Sequence, residues 1–373
     1  MVKDNLSATS NPSNTHPFTQ PVEKASSSLF LQALQCQPVE RTPVWLMRQA
    51  GRYMPEYRKL RSQVKDFIAL CKDPELACEV TMMPLRRYRL DAAIIFSDIL
   101  LIGQAMGLPL SFQEGEGPVF APRIESLKQV EQLESNEAAD KLSFVSDAIK
   151  LVVKELNHIP LIGFCGSPWT VATYMVEGGT SKDFSKIKTL AWQQPETVEL
   201  LLDKLSETTI KYLKAQVKAG VKALMIFDTW GGILSDHAYK RFSLAAVQKI
   251  VRALRADEAT KSTPIIFFAK GKYTLFSDLV ALGIEGLSID WTVDLGWVRE
   301  QVGQKIALQG NLDPTLLMAT PETLQQEVAR VIQSHGNQPG HIFNLGHGIL
   351  PQTPPEQVER LIEWVEMYSR SSR

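Results

Sequence analysis

Arg48 and Arg52 stand four residues apart in Met47-Arg48-Gln49-Ala50-Gly51-Arg52-Tyr53, directly after an apolar run at 43–47. A guanidinium presents a rigid fork of N–H donors that matches a carboxylate two bonds at a time, so two of them beside a glycine suggest an anionic ligand. The basic stretch that follows, Arg58, Lys59, Arg61 and Lys65 against the single acid Glu56, reads as a solvated surface. Asp98 comes after the apolar run 92–96 and Ser97, with more apolar residues behind it, so its carboxylate sits in poorly solvated surroundings and needs partners. Two roles stay open for it. It accepts N–H donors of a ligand or stabilises a developing cation, or else it caps a helix or pairs with Arg48 or Arg52. His347 lies between Gly346 and Gly348, where a loop bare of neighbouring side chains can approach a ligand. An imidazole there supplies a proton, or a hydrogen bond to a carboxylate, unless its role is structural.

Asp228, Asp290 and Asp313 also follow apolar runs. Three carboxylates on one rim can hold a divalent cation, but capping helices and anchoring loops fits better, because an anion site lined with unpaired carboxylates repels its ligand. Lys270 ends another run; a salt bridge to one of those aspartates is favoured there over a Schiff-base amine. Tyr174, just past Gly166-Ser167-Pro168-Trp169-Thr170, offers either a phenol to a ligand or a ring to the core. Six histidines contain no H-x-H and no HExxH, and Cys36, Cys71, Cys78 and Cys165 form no CxxC, so neither a metal centre nor a disulfide framework is expected.

These residues need a scaffold that carries them to one place. Short apolar runs, each ending in a polar or glycine-rich cluster, occur at 43–47, 92–96, 160–165, 222–227, 264–269, 286–289, 305–308 and 341–344, with helical periodicity between them. Asp73-Pro74-Glu75, Thr320-Pro321-Glu322 and Thr353-Pro354-Pro355-Glu356 are helix starts, with an N-cap side chain before a first-turn proline. Near-continuous apolar strands alternating with helices imply parallel strands covered by helices, and eight of them suggest an α/β fold closed as a single (β/α)8 barrel. A doubly wound open sheet is the alternative, but no G-x-G-x-x-G follows the first run. In a barrel the strand-end clusters gather on one rim.

Composition bounds the partners. Forty Lys and Arg against 41 Asp and Glu leave a net charge of −1, without the global basic field that sequence-tolerant nucleic-acid binding requires. The most apolar stretch, 92–110, is interrupted by Asp98, Gly103, Gln104 and Pro109, so no membrane span is expected. Residues 1–27, rich in Ser, Thr, Asn and Pro with no apolar signal region, read as a disordered tail before a catalytic domain at 28–373. Few cysteines and no secretory signal point to the cytoplasm. A plastid stroma is the alternative, weakened by the absence of Arg from the tail.

Pro43-Val44-Trp45-Leu46-Met47-Arg48-Gln49-Ala50-Gly51-Arg52-Tyr53 resembles the N-terminal signature of the uroporphyrinogen decarboxylase family. Gly163-Phe164-Cys165-Gly166-Ser167-Pro168-Trp169-Thr170-Val171-Ala172-Thr173-Tyr174, continuing through Glu177-Gly178, is similar to its second signature. Ile95-Phe96-Ser97-Asp98-Ile99-Leu100, Gly310-Asn311-Leu312-Asp313-Pro314 and Asn344-Leu345-Gly346-His347-Gly348 agree as well, so the resemblance runs from about residue 28 to about 370. It implies a (β/α)8 barrel, usually a homodimer, that works in tetrapyrrole biosynthesis with no cofactor and no metal. The implied reaction removes carbon dioxide from the four acetate side chains of uroporphyrinogen III, leaving methyl groups and giving coproporphyrinogen III. By position, Arg48 and Arg52 would bind substrate carboxylates, with Arg48 also a candidate proton donor. Asp98 would act catalytically, taking hydrogen bonds from the pyrrole N–H groups, while Tyr174 and His347 would contact side-chain carboxylates. Thr229 stands where many members have Ser, and Gly231 where Ala is common; a hydroxyl is kept, so Thr229 is carried over as substrate-binding.

The chemistry accepts these residues. Decarboxylation leaves an electron pair that most decarboxylases pass to a cofactor, but a pyrrole protonated at a ring carbon is its own sink. The protein then donates a proton, stabilises a cation and holds an anion-rich substrate. Arginine is an awkward acid because of its high pKa, so Arg48, a substrate carboxylate and water all remain open as the donor. Two other readings compete. Cobalamin-linked methyltransferases of the same superfamily need a zinc thiolate site, which the cysteine positions do not suit. A non-catalytic tetrapyrrole-binding protein is disfavoured by the joint presence of Arg48, Asp98, Tyr174 and His347.

Overall fold

The computed structural model describes residues 28–113 and 117–371; the expected N-terminal tail lies outside them. Seven of the eight apolar runs form strands: β1 (Ala93–Ile94), β2 (Leu161–Gly166), β3 (Ala223–Asp228), β4 (Ile265–Ala269), β5 (Gly286–Ser288), β6 (Ala307–Gln309) and β7 (His341–Ile342). They pair in parallel in chain order with no reversal, from Ala93 opposite Leu161 to Leu308 opposite His341. A doubly wound sheet would reverse its order at a switch point, and this one does not. The result is an α/β fold built on a curled, parallel, seven-stranded sheet. A separate antiparallel hairpin pairs Leu110–Gln113 with Gly117–Phe120.

Residues 43–47, expected as the first strand, form only an isolated bridge from Val44 to Phe343. The reason lies in who takes the backbone N–H groups. Pro43 has none, Val44 donates to Asp91 Oδ2 at 2.8 Å, Leu46 to Gln49 Oε1 at 3.2 Å and Met47 to Asn344 Oδ1 at 3.0 Å. Side chains thus replace most of the ladder, leaving Trp45 N to Phe343 O at 3.4 Å, and Asp91 is itself fixed by both terminal guanidinium nitrogens of Arg41, each at 2.7 Å. The run still lies between the two ends of the sheet. Phe343 N donates to Pro43 O and Asp91 N to Val44 O, each at 2.8 Å. Trp45, fully buried, donates its indole N–H to Gln309 Oε1 on β6 at 2.9 Å.

Every residue of β2 and β4 is buried, as expected for strands covered on both faces. Helices supply the outer layer. The 25-residue helix Pro195–Ala219 buries Val198, Leu201, Leu202 and Leu205, one stripe at helical spacing, each side chain contributing roughly 1.5–3 kcal/mol by leaving water. Two of the three helix starts read from sequence carry their caps: Asp73 accepts from Leu76 N at 2.9 Å before Pro74–Arg87, and Thr320 from Thr323 N at 3.3 Å before Pro321–His335, whereas the helix Pro355–Ser371 forms without a cap from Thr353, whose buried hydroxyl has no partner among the described residues. Among the described residues no helix is long and apolar enough to cross a membrane.

Candidate active site at the rim of the sheet

Because the strands are parallel, the loops after them collect at one end of the sheet, where α/β folds carry their functional groups. Arg48 leads from the bridged run into this rim with φ +60°, a left-handed conformation that is strained for a side chain larger than glycine. Its neighbours hold it there: Gln49 reaches Ala92 O at 3.3 Å, Tyr53 Oη donates to Gln49 O at 2.8 Å, and Ile349 N donates to Met47 O at 2.9 Å. Gly348 explains how the last loop meets it. A Cβ at that position would come within 2.6 Å of Arg48 Cγ, so only glycine lets the arginine stem lie against the loop that carries His347. Gly346 likewise leaves room for the Asp290 and Trp291 backbone.

Arg48 and Arg52 are exposed, and among the described residues neither has a carboxylate within ion-pair distance. Glu56, their nearest sequence candidate, pairs with Arg87 at 3.1 Å. Arg58, read as a surface cation, donates to Arg52 O at 2.8 Å and Tyr53 O at 2.9 Å and so ties the loop.

Asp98 follows β1 and is partly buried. Its Oδ1 accepts from Leu100 N at 2.8 Å, a turn bond two residues on rather than a cap, since the helix Leu101–Ala105 has no side-chain cap; Oδ2 takes no hydrogen bond from the described residues. Burial holds the carboxyl above its ordinary value, against the lowering pull of the Leu100 N–H and of Arg48. Tyr174, on the helix Pro168–Glu177, is partly buried with its ring 6.2 Å from that of Trp230. Burial raises its phenol, and the charges of Asp98 and Arg48 both reach it.

His347 is partly buried, its ring 6.1 Å from Phe268. Burial, then the positive charges of Arg48 and Lys270, push its pKa down to about 3, with Asp290 opposing. Among the protein's own charges the imidazole is therefore neutral and offers one N–H. Thr229 follows β3 between two fixed neighbours. Asp228, fully buried, accepts from Ser167 Oγ at 2.6 Å, Thr170 Oγ1 at 3.0 Å and Ser243 Oγ at 2.7 Å, and Trp230 N donates to Thr170 Oγ1 at 3.2 Å.

Arg48, Asp98, Tyr174 and His347 thus share one electrostatic neighbourhood, with Arg48 common to all three partners. The charge of Arg52 registers instead at Tyr57. The three strand-end aspartates serve the scaffold. Asp290 accepts from Gly271 N at 3.0 Å and from Thr292 N and Oγ1 at 2.9 and 2.6 Å, and Asp313 caps Thr315 N at 2.9 Å. The salt bridge expected for Lys270 is not formed among the described residues. Those aspartates are occupied by local donors, and the amine lies instead near the rings of Trp230 and Trp291. Sequence reasoning missed the row of rings beneath the rim, in which Phe164 lies 5.7 Å from Phe227, Phe227 6.3 Å from Phe268, and Phe268 next to His347. Inside an apolar run a phenylalanine reads as core. Among the described residues no three of His, Cys, Asp and Glu sit where they could share a metal ion.

The family described as Uroporphyrinogen decarboxylase (URO-D) matches residues 25–368. The chain belongs to the uroporphyrinogen decarboxylase family. It is 53% identical over 341 residues to the uroporphyrinogen decarboxylase of Alkalilimnicola ehrlichii, covering 91% of this chain and 93% of that one. It is 52% identical over 337 residues to the uroporphyrinogen decarboxylase of Saccharophagus degradans, covering 90% and 95%. Among solved structures, a methyltransferase from Methanosarcina mazei shares the fold with a TM-score of 0.75 at 20% identity, over 92% of this chain and 99% of that one. The matched stretch contains Arg48, Asp98, Tyr174 and His347.

Proposed function

We propose that the chain removes carbon dioxide from the four acetate side chains of uroporphyrinogen III, leaving methyl groups and giving coproporphyrinogen III. What carries this reading is the juxtaposition of the unpaired Arg48 with Asp98, a partly buried carboxylate that keeps one oxygen open. Protonation at a ring carbon turns a pyrrole into a cation. The bond between the acetate methylene and its carboxylate then breaks, its electron pair neutralises the ring, and carbon dioxide leaves. A second proton on the methylene carbon and loss of the first restore a pyrrole bearing a methyl group, so the substrate is its own electron sink. Asp98 Oδ2 accepts pyrrole N–H groups, and its ionised form is favoured as the cation develops beside it. Arg48 and Arg52 bind carboxylates, and Arg48, or a carboxylate it holds, delivers the proton. Tyr174, Thr229 and His347 donate to side-chain carboxylates.

Further parts of the reading have specific support. The bridge from Val44 to Phe343 and the bond from Asp91 to Val44 support residues 43–47 as the element that closes the sheet into a (β/α)8 barrel, within one catalytic domain at 28–373. Exposed Trp297 and Met318 suit a subunit contact, so a homodimer is proposed. The relatives named above are bacterial, which supports the cytoplasm.

The test is anaerobic incubation of the purified protein with chemically reduced uroporphyrinogen III, with products resolved by carboxylate number. Stepwise loss of carbon dioxide down to the tetracarboxylate, insensitive to chelator, is expected. Tight binding without conversion would overturn the reading.

A further inference from the structure

Lys270 directly follows β4, three strands on from the one that leads to Asp98 and three before the one that leads to His347. Its Nζ lies 5.9 Å from the ring centroid of Trp230 and 5.5 Å from that of Trp291, two indoles supplied by the loops after β3 and β5. Both distances are within reach of a cation–π interaction, which steadies the ammonium without neutralising it. The carboxylates that would neutralise it are engaged elsewhere. Asp228 accepts three hydroxyls and Asp290 accepts two backbone N–H groups and a hydroxyl, while among the described residues no ion pair involves Lys270. The amine is only partly exposed, and its field reaches the imidazole of His347. A cation kept without a counter-ion, between two aromatic faces and on the same rim as Arg48, is arranged for a ligand's negative charge.

We propose that Lys270 binds a carboxylate arm of the tetrapyrrole, and that this arm is a propionate rather than the acetate undergoing reaction. The inference rests on the tetrapyrrole reading above. The choice of arm follows from where charge moves. In decarboxylation the negative charge leaves the reacting carboxylate, so a cation held against that group stabilises the ground state more than the transition state and slows the step. A cation on a spectator carboxylate has no such effect. The propionates alone persist through all four losses of carbon dioxide, so an anchor that serves each round grips one of them.

The test pairs Lys270→Met, which keeps a stem for the indoles and removes the charge, with Lys270→Arg, which keeps the charge. Affinity for coproporphyrinogen III, whose only carboxylates are propionates, and for uroporphyrinogen III is measured anaerobically by quenching of tryptophan fluorescence. Turnover is measured in parallel, and thermal melts confirm folding. Lys270→Met is expected to weaken both ligands by the same factor, about ten-fold for a lost charge-assisted hydrogen bond, with the loss in turnover falling on KM rather than kcat. Lys270→Arg should recover most of the affinity. Unchanged affinity in a folded Lys270→Met protein overturns the proposal. Weakening confined to uroporphyrinogen III moves the contact to an acetate and overturns the choice of arm. If the wild-type protein binds both tetrapyrroles without turning uroporphyrinogen III over, the decarboxylase reading fails, while the binding comparison still decides the role of Lys270.

Discussion

Asp98 and Asp228 follow or end parallel strands two places apart in the same sheet, and burial raises both carboxyls above their ordinary values. Around Asp228 the protein has supplied everything a carboxylate wants, three hydroxyl donors within 3.0 Å. Around Asp98 it has supplied one backbone N–H and left the second oxygen open. A buried carboxylate saturated by its own chain is part of the scaffold; one left incomplete is chemistry waiting for a ligand. The largest expected effect therefore falls on the saturated group. Asp228→Ala leaves the hydroxyls of Ser167, Thr170 and Ser243 without their acceptor and should cost on the order of 3 kcal/mol or more, given 1–3 kcal/mol for each buried polar group stranded. Urea unfolding measures it, and a midpoint near that of wild type would erase the distinction between the two aspartates.

Asp98→Asn should behave in the opposite way, with turnover falling by about 100-fold, the scale of losing a preorganised electrostatic group. Stability should hold or rise. A folded-state carboxyl pKa above the unfolded one means that stability is lost as pH rises through the folded value, so the ionised form works against the fold at neutral pH, and the amide removes that cost. Turnover assays beside melts at pH 7 check both halves, and a variant that is active or unstable breaks the comparison.

The same contrast marks what could be read from the chain. Seven of eight strands are legible because apolarity and β-branching are local properties, and the loops after them inherit their placement from the parallel sheet. The bridged run at 43–47 is equally apolar, yet three of its N–H groups go to Asp91, Gln49 and Asn344, and a hydrophobic pattern carries no information about such partners. Asp98 and Asp228 look alike in sequence for the same reason, since the hydroxyls that separate them stand at 167, 170 and 243. Lys270 was expected to find an aspartate, but each candidate is closed by donors from its own or an adjacent loop. The candidate site was legible where a motif places a charge at a strand end, and obscure where function depends on a partner's absence.

His347 sharpens the contrast through pH. Burial first, and then the charges of Arg48 and Lys270, lower its pKa to about 3 from 6.5 against the pull of Asp290. As pH falls between those values the unfolded chain takes up a proton that the folded chain refuses, so stability drains away in that window. His347→Gln lacks the imidazole and should melt on the order of a few degrees higher than wild type at pH 4, the two converging at pH 7. An advantage that is equal at both pH values would show that neither burial nor the neighbouring cations hold the imidazole neutral.

Thr229 sits on the border between the two regions and should give the smallest effect. Its backbone is held by the scaffold, between the saturated Asp228 and Trp230, whose N–H is tied to Thr170 Oγ1 at 3.2 Å. Its hydroxyl makes no hydrogen bond among the described residues, so the scaffold presents it without using it. Thr229→Ser, which keeps the hydroxyl, should change KM by less than about two-fold. Thr229→Val, which keeps the shape, should raise KM about five-fold, the loss of one neutral hydrogen bond to a ligand. Both should unfold at the wild-type urea midpoint, because neither removes a partner from the Asp228 cluster. If Thr229→Val unfolds early with KM unchanged, the hydroxyl belongs to the scaffold and the border lies beyond residue 229; if KM rises with the midpoint fixed, the site begins at the residue after Asp228.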